Sequence, residues 1–212
     1  MIPRWIMGAF LGLFWLCSPA QVAAPASGIR LDISADWEPV FCKDRLHVFS
    51  TGGRNQILSP GDAAPQCDPV QFTPQVQPAC SASGTLVLDT EGNLWQLGEG
   101  QPKTLFSDLK GAIGLWVEEG RPAILFKDRI ERPDGRRVTL PFQATGGHPL
   151  PDGGCWVWGA AMAARISSEG AVLWSWSPPI GAPGPAVLAE GQVFSTTSSG
   201  SLWALRDRDG KP

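Results

Sequence analysis

Residues 191–212, GQVFSTTSSGSLWALRDRDGKP, decide the fold prediction for this chain. They contain an apolar strand, a Ser-Ser-Gly-Ser turn, a second strand and a polar Asp-Gly turn. Gly200 suits a tight hairpin turn because glycine adopts positive φ without strain, and Leu202-Trp203 then enters the next strand. Weaker copies of this unit occur upstream, so the sequence predicts a repeat array.

Two pairs of matching segments set the repeat length. Residues 41–46 (FCKDRL) match residues 125–130 (LFKDRI), and residues 91–95 (EGNLW) match residues 199–203 (SGSLW). The first apolar residues after the turns are Leu46, Leu94, Ile130, roughly Ala163, and Leu202. Their spacing of roughly 33 to 48 residues, with three or four short strands in each interval, is typical of a β-propeller blade.

The predicted fold is therefore all-β, a β-propeller of short antiparallel blades over residues 28–212. About five blades fit this length, or the chain is a truncated part of a larger propeller. A β-sandwich or barrel is the alternative architecture. Residues 59–80 contain five prolines, and we interpret them as a Pro-rich inserted loop that lengthens the first interval. The alternating residues 28–33 are predicted to complete the last blade as its outer strand.

The N-terminus has the features of a secretory signal peptide over residues 1–20. Arg4 precedes an uninterrupted apolar run over residues 5–17, and Ser18-Pro19-Ala20 offers a small-residue cleavage site. Cleavage after Ala24 or Ala26 is the alternative, and the bulky residues before Cys17 argue against a lipid anchor. The run is too short for a transmembrane helix, and none is predicted in the mature chain. Residues 21–27 are predicted to be a flexible N-terminal segment of a periplasmic or extracellular protein.

Composition and charge exclude several classes of partner and structure. The formal net charge of −3 becomes −4 without Arg4, and no basic run is present. Attraction to a phosphate backbone is therefore missing, and we predict no nucleic-acid partner. The 43% apolar content argues against disorder, and the 25 glycines and 20 prolines are consistent with many short strands and turns.

Four cysteines remain after removal of the signal peptide, and they are disulfide candidates in an exported chain. They are Cys42, Cys67, Cys80 and Cys155, which allow three pairings. A bond between Cys67 and Cys80 across the Pro-rich loop is slightly favoured, and Cys155 could equally be a buried free thiol. No metal site is predicted, because the chain has no C-x-x-C and neither His47 nor His148 lies in a ligand-spaced cluster.

The terminal unit resembles the PQQ-like (quinoprotein-type) β-propeller repeat. The similarity lies in Gly191-x-Val193-Phe194, in residues 199–205 and in Asp209-Gly210-Lys211, and residues 91–97 and 166–176 are more degenerate copies. The resemblance implies a propeller with aromatic residues docked between blades. It implies a scaffold-type member rather than a dehydrogenase, because the quinone dehydrogenases of this superfamily are much longer. No cofactor is predicted.

Four tryptophans form the candidate binding face: Trp156, Trp158, Trp174 and Trp176. Residues two apart in a strand share a sheet face, so each pair is either an aromatic platform for a sugar or protein, or packing between blades. The sequence predicts no catalytic residue, because its carboxylates lie at turns and no G-x-S-x-G elbow is present. Two Asp-containing turns, residues 89–93 and 207–210, begin like calcium loops, but a plain polar turn is the favoured interpretation.

The functional prediction is an exported non-catalytic propeller that binds another exported or envelope protein, or a small ligand. The alternative is a glycan-active or quinone-dependent propeller enzyme. Loops on rigid scaffolds carry function disproportionately, so residues 59–80 are the first segment to test.

Overall fold

A computed structural model describes residues 37–50, 52–53, 55–61, 66–67, 72–98 and 100–212, and all of its regular elements are β-strands. The strands form five antiparallel sheets, which we number as blades 1 to 5. Blade 1 contains β1 (Val40–Cys42), β2 (Arg45–Val48), β3 (Gln56–Leu58) and β4 (Gln66–Cys67). Blade 2 contains β5 (Ala79–Ser81), β6 (Gly84–Leu88), β7 (Leu94–Leu97) and β8 (Lys103–Phe106).

The three remaining blades follow in chain order. Blade 3 contains β9 (Ala112–Glu118), β10 (Arg121–Phe126), β11 (Arg129–Glu131) and β12 (Arg137–Thr139). Blade 4 contains β13 (Ala144–Pro149), β14 (Cys155–Gly159), β15 (Ala163–Ile166) and β16 (Val172–Trp176). Blade 5 contains β17 (Pro183–Ala189), β18 (Gln192–Thr197) and β19 (Leu202–Arg206).

Strands within a blade pair in sequence order, and the first strands of successive blades pack side by side from β1 through β5, β9 and β13 to β17. This is the arrangement of a β-propeller, so the predicted fold class is confirmed. Each blade lies face to face with the next, and the interior of the domain is divided among the junctions between blades.

Alternation along β10 shows how one strand serves two junctions. Ile124 and Phe126 enter the core shared with blade 2, whereas Ala123 and Leu125 enter the core shared with blade 4. Side chains of a strand point to opposite faces in turn, so a strand buried on both faces has a continuous apolar sequence. The described residues form four such cores, one at each junction from blades 1–2 to blades 4–5.

One of the two repeat matches is confirmed. Residues 91–95 and 199–203 both connect the second and third strands of their blades, three blades apart. Gly92 and Gly200 have φ of 88° and 81°, so both turns use the positive φ that glycine tolerates.

The other match is wrong because it joins turns that are not equivalent. Residues 41–46 span the first turn of blade 1, whereas residues 125–130 span the second turn of blade 3. Lys43 and Asp44 have φ of 49° and 61°, as a two-residue hairpin turn of type I′ requires, whereas Lys127 and Asp128 have no positive φ. When third strands are compared with third strands, their starts are nearly evenly spaced along the chain, at positions 56, 94, 129, 163 and 202.

Because the third strands are nearly evenly spaced, no insertion is needed to explain the length of blade 1. The interpretation of residues 59–80 as an inserted loop is therefore wrong. β4 lies inside this stretch and pairs with β3, and β5 begins within it as the first strand of blade 2. None of the five prolines lies within β3, β4 or β5, so none of them removes an N–H donor from these strands. The predicted signal peptide, the segment 21–27 and the strand 28–33 lie outside the described residues.

The disulfide joins Cys42 to Cys80, not Cys67 to Cys80, so the favoured pairing is wrong. The Cα atoms of Cys42 and Cys80 are 5.4 Å apart, within the range that a disulfide spans. Because β1 and β5 are first strands of neighbouring blades, the bond crosses the junction between blades 1 and 2. Cys67 lies in β4, and Cys155 is a buried free thiol.

Candidate functional site

Antiparallel strands place the first and third turns of every blade at the same end of the propeller. At this end a cavity of about 340 Å³ opens between blades 3 and 4, and we call it the first-turn cleft. It is lined by Val117, Glu118, Glu119, Arg121, Arg132, Pro133, Asp134, Arg136, Pro149, Leu150, Pro151, Asp152, Gly153 and Ser168. The volume lies within the range of small-ligand sites.

A second cavity of about 270 Å³ lies on the other side of the turn that begins at Arg132. Arg132 and Pro133 line both cavities, so this turn forms the wall between them. Phe106, which is half exposed, and Arg137 line the second cavity. The first-turn cleft thus lies between blades 3 and 4, whereas the second cavity lies between blades 2 and 3.

Arg132 fixes the wall of the cleft to the next blade. Its side chain is 2% exposed, and its guanidinium donates to the carbonyl oxygens of Ser167, at 3.0 Å, and Ser168. Nε lies 3.6 Å from Oε2 of Glu118, and Oε1 of Glu118 accepts a hydrogen bond of 2.8 Å from Nε1 of Trp116. A buried charge needs partners of this kind, so Arg132 holds the third turns of blades 3 and 4 together.

Arg165 performs the same task between blades 4 and 5. Its side chain is 1% exposed, and Nε donates to Oδ1 of Asp207 over 2.9 Å. Nη1 donates to the carbonyl oxygen of Ile166 over 2.7 Å, and Nη2 pairs with Asp152, a residue of the cleft. The turn that begins at Asp207 is therefore a polar structural turn, as the sequence indicated.

Close packing adds to this link. Nε1 of Trp174 donates to the carbonyl oxygen of Asp207. A Cβ on Gly210 would lie 2.5 Å from Cε3 of the same indole. Gly210 has φ of 68°, so this position needs glycine both for the turn and for the approach of the ring.

Two charged residues of the cleft have no ion pair or hydrogen-bonding side-chain partner among the described residues. Glu119 and Arg121 flank Gly120 in the first turn of blade 3, and both are exposed. The other charges of the cleft are engaged, since Arg136 pairs with Asp134 and also donates to the carbonyl oxygen of Glu169 over 3.0 Å. The groups available to a ligand are therefore one carboxylate and one guanidinium, held on a rigid hairpin.

The predicted aromatic face is part of the junction between blades 4 and 5. Trp156 is fully buried and its Nε1 donates to the carbonyl oxygen of Gly184 over 2.9 Å. Trp174 and Trp176 are also buried, and Trp158 is half-buried against the same core. The indoles pack against one another with ring centroids 5.6 and 6.4 Å from Trp156, so the platform interpretation is wrong and the packing interpretation holds.

The histidines and the free thiol have no exposed reactive group. Burial, with Arg45 nearby, lowers the pKa of His47 to about 4. Burial also lowers the pKa of His148, whose Nε2 is hydrogen-bonded with the carbonyl oxygen of Ala186. Burial raises the pKa of the Cys155 thiol to about 12, so this cysteine stays protonated and unreactive.

The turn at residues 89–93 is organised by one carboxylate. Oδ1 of Asp89 accepts from the backbone N–H groups of Glu91 and Asn93, at 3.0 and 2.8 Å. Oδ2 accepts from Nε1 of Trp95 over 2.7 Å and from Nδ2 of Asn93 over 3.3 Å. With four donors on its two oxygens, Asp89 acts as a turn former. In the part of the chain that the structure describes, no three His, Cys, Asp or Glu residues cluster as metal ligands.

Sequence reasoning missed the arginines that build the cleft. The buried position of Arg165 could have been predicted, because it lies in the otherwise apolar run Ala163-Ala164-Arg165-Ile166. A charged residue in such a strand is expected to be buried with an ion-pair partner. Arg132 lies in a turn and looks like an ordinary solvated residue. None of the described residues forms a helix of the length and apolarity that a membrane span requires.

Comparison with known proteins identifies the fold. No protein-family model and no curated protein matches the chain. Among solved structures, BamB from Moraxella catarrhalis is similar, with a TM-score of 0.60 and 14% identity over 87% of this chain and 64% of that one. BBS1N in complex with ARL6DN gives 0.56 and 18% over 79% and 62%. The WD40 β-propeller domain of Doa1 gives 0.59 and 14% over 82% and 67%.

The chain thus spans about three fifths of the length of the first structures that it matches. At these identities the likeness shows the architecture alone. The protein is a β-propeller.

Proposed function

We propose that this chain is an exported, non-catalytic propeller of the PQQ-like repeat type, which binds another envelope protein through the first-turn cleft. The observation that carries the proposal is the cleft itself, a concave surface on rigid turns that presents an unpaired carboxylate and an unpaired guanidinium. Such a pair suits a loop of a partner protein that carries both charge signs.

Rigidity of the cleft supports a scaffold role. Its floor and walls are tied by Arg132 and Arg136 to the turns of blade 4, and Arg165 ties Asp152 and blade 5 to the same region. A surface that does not rearrange loses little conformational entropy when a partner binds. One of the similar structures, BBS1N, was itself determined in complex with a protein, ARL6DN.

Export is supported by the signal-like residues 1–20 and by the Cys42–Cys80 disulfide, because disulfides persist in oxidising compartments. Expression of the full chain in a bacterial host with fractionation tests this part. We expect the protein in the periplasmic fraction with Gln21 at its N-terminus by mass spectrometry. Retention in the cytoplasm with residues 1–20 intact would contradict export.

Site-specific photocrosslinking tests the binding surface. A photoreactive amino acid replaces Arg121 in the cleft, and the matched control replaces Ser201, an exposed residue of a second turn at the opposite end of blade 5. In cells of the source organism we expect a discrete protein adduct from position 121 and none from position 201. Equal adducts at both positions, or none at 121, would overturn the proposed surface.

Charge reversal then tests the chemistry of recognition. Arg121→Glu places two like charges on the hairpin, and we expect it to weaken capture of the partner identified by crosslinking by about tenfold. Glu190→Arg is a control, because Glu190 occupies the corresponding first turn of blade 5, with φ of 50° against 50° for Glu119. Unchanged capture by Arg121→Glu would exclude the cleft as the charged contact.

A further inference from the structure

The two terminal blades each leave one sheet face without a partner blade among the described residues. Blades 2, 3 and 4 contribute to a core on both faces, whereas blades 1 and 5 contribute to one core each. On blade 5, Ala186, Val193 and Leu205 are buried against blade 4. The strand register therefore turns the alternate residues of blade 5 away from the rest of the domain.

The outward face of blade 5 is largely apolar, although Gln192 and Thr196 also lie on it. Val187, Phe194 and Ala204 form one cross-strand row, and Leu202 is paired with Thr196 beside it. Val187 is 64% exposed and Leu202 is 68% exposed. On this face the three strands carry a single charge, Arg206, which pairs with Asp209 over 3.3 Å. A sheet face that faces water ordinarily carries polar residues at these positions.

The outward face of blade 1 has a similar row. Phe41, Leu46 and Leu58 are paired across β1, β2 and β3. Phe41 is 64% exposed and the two leucines are half-buried, whereas Val48 and its partner Gln56, farther along the same face, are buried. Since Phe41 and Val187 are both exposed, the outward faces of blades 1 and 5 do not cover each other within one chain.

We propose that these faces bind a second copy of this chain head to tail, with the outward face of blade 5 of one copy on the outward face of blade 1 of the next. Continuity with the existing junctions supports this occupant, because each blade already packs its apolar face on the next blade in chain order. A blade 5 to blade 1 contact repeats that relation between copies. Contacts of this heterologous type close into a ring or continue as a filament.

Sedimentation velocity of the signal-free full chain provides the first test. We expect a species of at least twice the monomer mass at about 50 µM protein, in line with a micromolar contact between two small apolar faces. A strict monomer at this concentration would overturn the proposal.

Variants assign the association to the two faces. Val187→Glu and Phe41→Glu each place an unpaired charge in one face, and we expect each to weaken self-association by about 100-fold. Leu173→Glu is the matched control, because Leu173 is also about half exposed but lies in the outer strand of blade 4. We expect this control to associate like the unsubstituted chain.

Mixing the two variants distinguishes the head-to-tail arrangement from a symmetric one. The Val187→Glu chain retains an intact blade 1 face and the Phe41→Glu chain an intact blade 5 face, so an equimolar mixture should form a dimer that neither variant forms alone. This recovery also shows that both variants are folded. A mixture that stays monomeric, or a Phe41→Glu chain that associates normally, would overturn the proposal.

Discussion

Two junctions of the propeller are held together by different bonds, although both join neighbouring blades face to face. They are the junction between blades 1 and 2 and the junction between blades 4 and 5. The first contains the Cys42–Cys80 disulfide and an aromatic group in which Phe72 and Trp95 lie 5.2 Å apart. The second contains a cluster of tilted indoles and the buried guanidinium of Arg165, which pairs with Asp207 after the last strand of blade 5. A covalent bond therefore links blades 1 and 2, whereas an ion pair links blades 4 and 5.

This difference shows that the blade repeat specifies the strands and the apolar faces, while the bonds that join neighbouring blades differ from one junction to another. A covalent link responds to reductant and is insensitive to pH. A buried ion pair responds to the loss of a charge and is insensitive to reductant. The two regions should therefore lose stability under different conditions.

Loss of the disulfide should have the largest effect. The bond joins residues with a sequence separation of 38, and the chain-entropy relation gives a stabilisation of about 4 kcal/mol for such a loop. The double substitution Cys42→Ser and Cys80→Ser removes it without leaving a reactive thiol. Urea unfolding measures the change, and millimolar reductant, comparable to a cellular thiol pool, should reproduce it in the unsubstituted chain.

The matched control is Cys67→Ser, which changes a cysteine of the neighbouring strand β4 and leaves the Cys42–Cys80 bond in place. We expect it to keep its sensitivity to reductant. If Cys67→Ser abolished that sensitivity while Cys42→Ser did not, the disulfide would be the Cys67–Cys80 bond and the description of this junction would fail.

Removal of the buried guanidinium should have the next largest effect. Arg165→Met keeps the apolar stem but leaves Asp207 and Asp152 without their cation, and we expect a loss of about 3 kcal/mol in urea unfolding. The loss stays moderate because both carboxylates are partly exposed and regain water. Arg208→Met, at a side chain that is 78% exposed, should change stability by less than about 0.5 kcal/mol. Equal losses in the two variants would contradict the link.

Protonation of His47 should give the smallest of the three effects, and it makes the junction between blades 1 and 2 sensitive to pH. Its pKa is lowered from 6.5 to about 4 by burial in the junction between blades 1 and 2, and its Nδ1 has no hydrogen-bond partner among the described residues. Because the folded state binds this proton less readily than the unfolded state, lowering the pH favours unfolding. The contribution of His47 to the free energy of unfolding is therefore complete above pH 6.5 and is lost as the pH falls towards 4. Between pH 7 and pH 5 we expect a loss of about 2 kcal/mol.

His47→Gln isolates this contribution, since it removes the imidazole and leaves every other titrating group in place. The pH dependence of its unfolding free energy between pH 7 and pH 5 should be shallower than that of the unsubstituted chain by the same amount. Identical slopes would show that His47 accepts a proton in the folded state and is not buried as described.

The sequence predicted the blades better than it predicted their links. Apolar alternation and glycine turns are local properties, so residues 91–95 and 199–203 revealed equivalent positions in two blades. The Lys-Asp-Arg match misled because the same letters form turns of different backbone conformation, at Lys43-Asp44 and Lys127-Asp128. That error shifted the first interval by one strand and made β4 and β5 look like an insertion.

The candidate site was less predictable because it depends on which blades become neighbours in space. Trp156 and Trp158 were correctly placed on one sheet face, but the sequence does not state that blade 5 covers this face. Cys42 and Cys80 meet because the first strands of blades 1 and 2 pack together, and a preference for the shorter loop favoured Cys67. Arg132 reaches the carbonyl oxygens of Ser167 and Ser168, far along the chain in the next blade, and no local pattern records such a contact.

The five sheets are successive blades, and different bonds hold the two end junctions together. Hydrogen–deuterium exchange with mass spectrometry, with and without reductant, measures the contribution of the disulfide to each blade separately. Reduction should speed exchange much more in β1, β2, β5 and β6 than in β14, β15 and β18. Equal loss of protection across all these strands, or none in β1 and β5, would contradict the account.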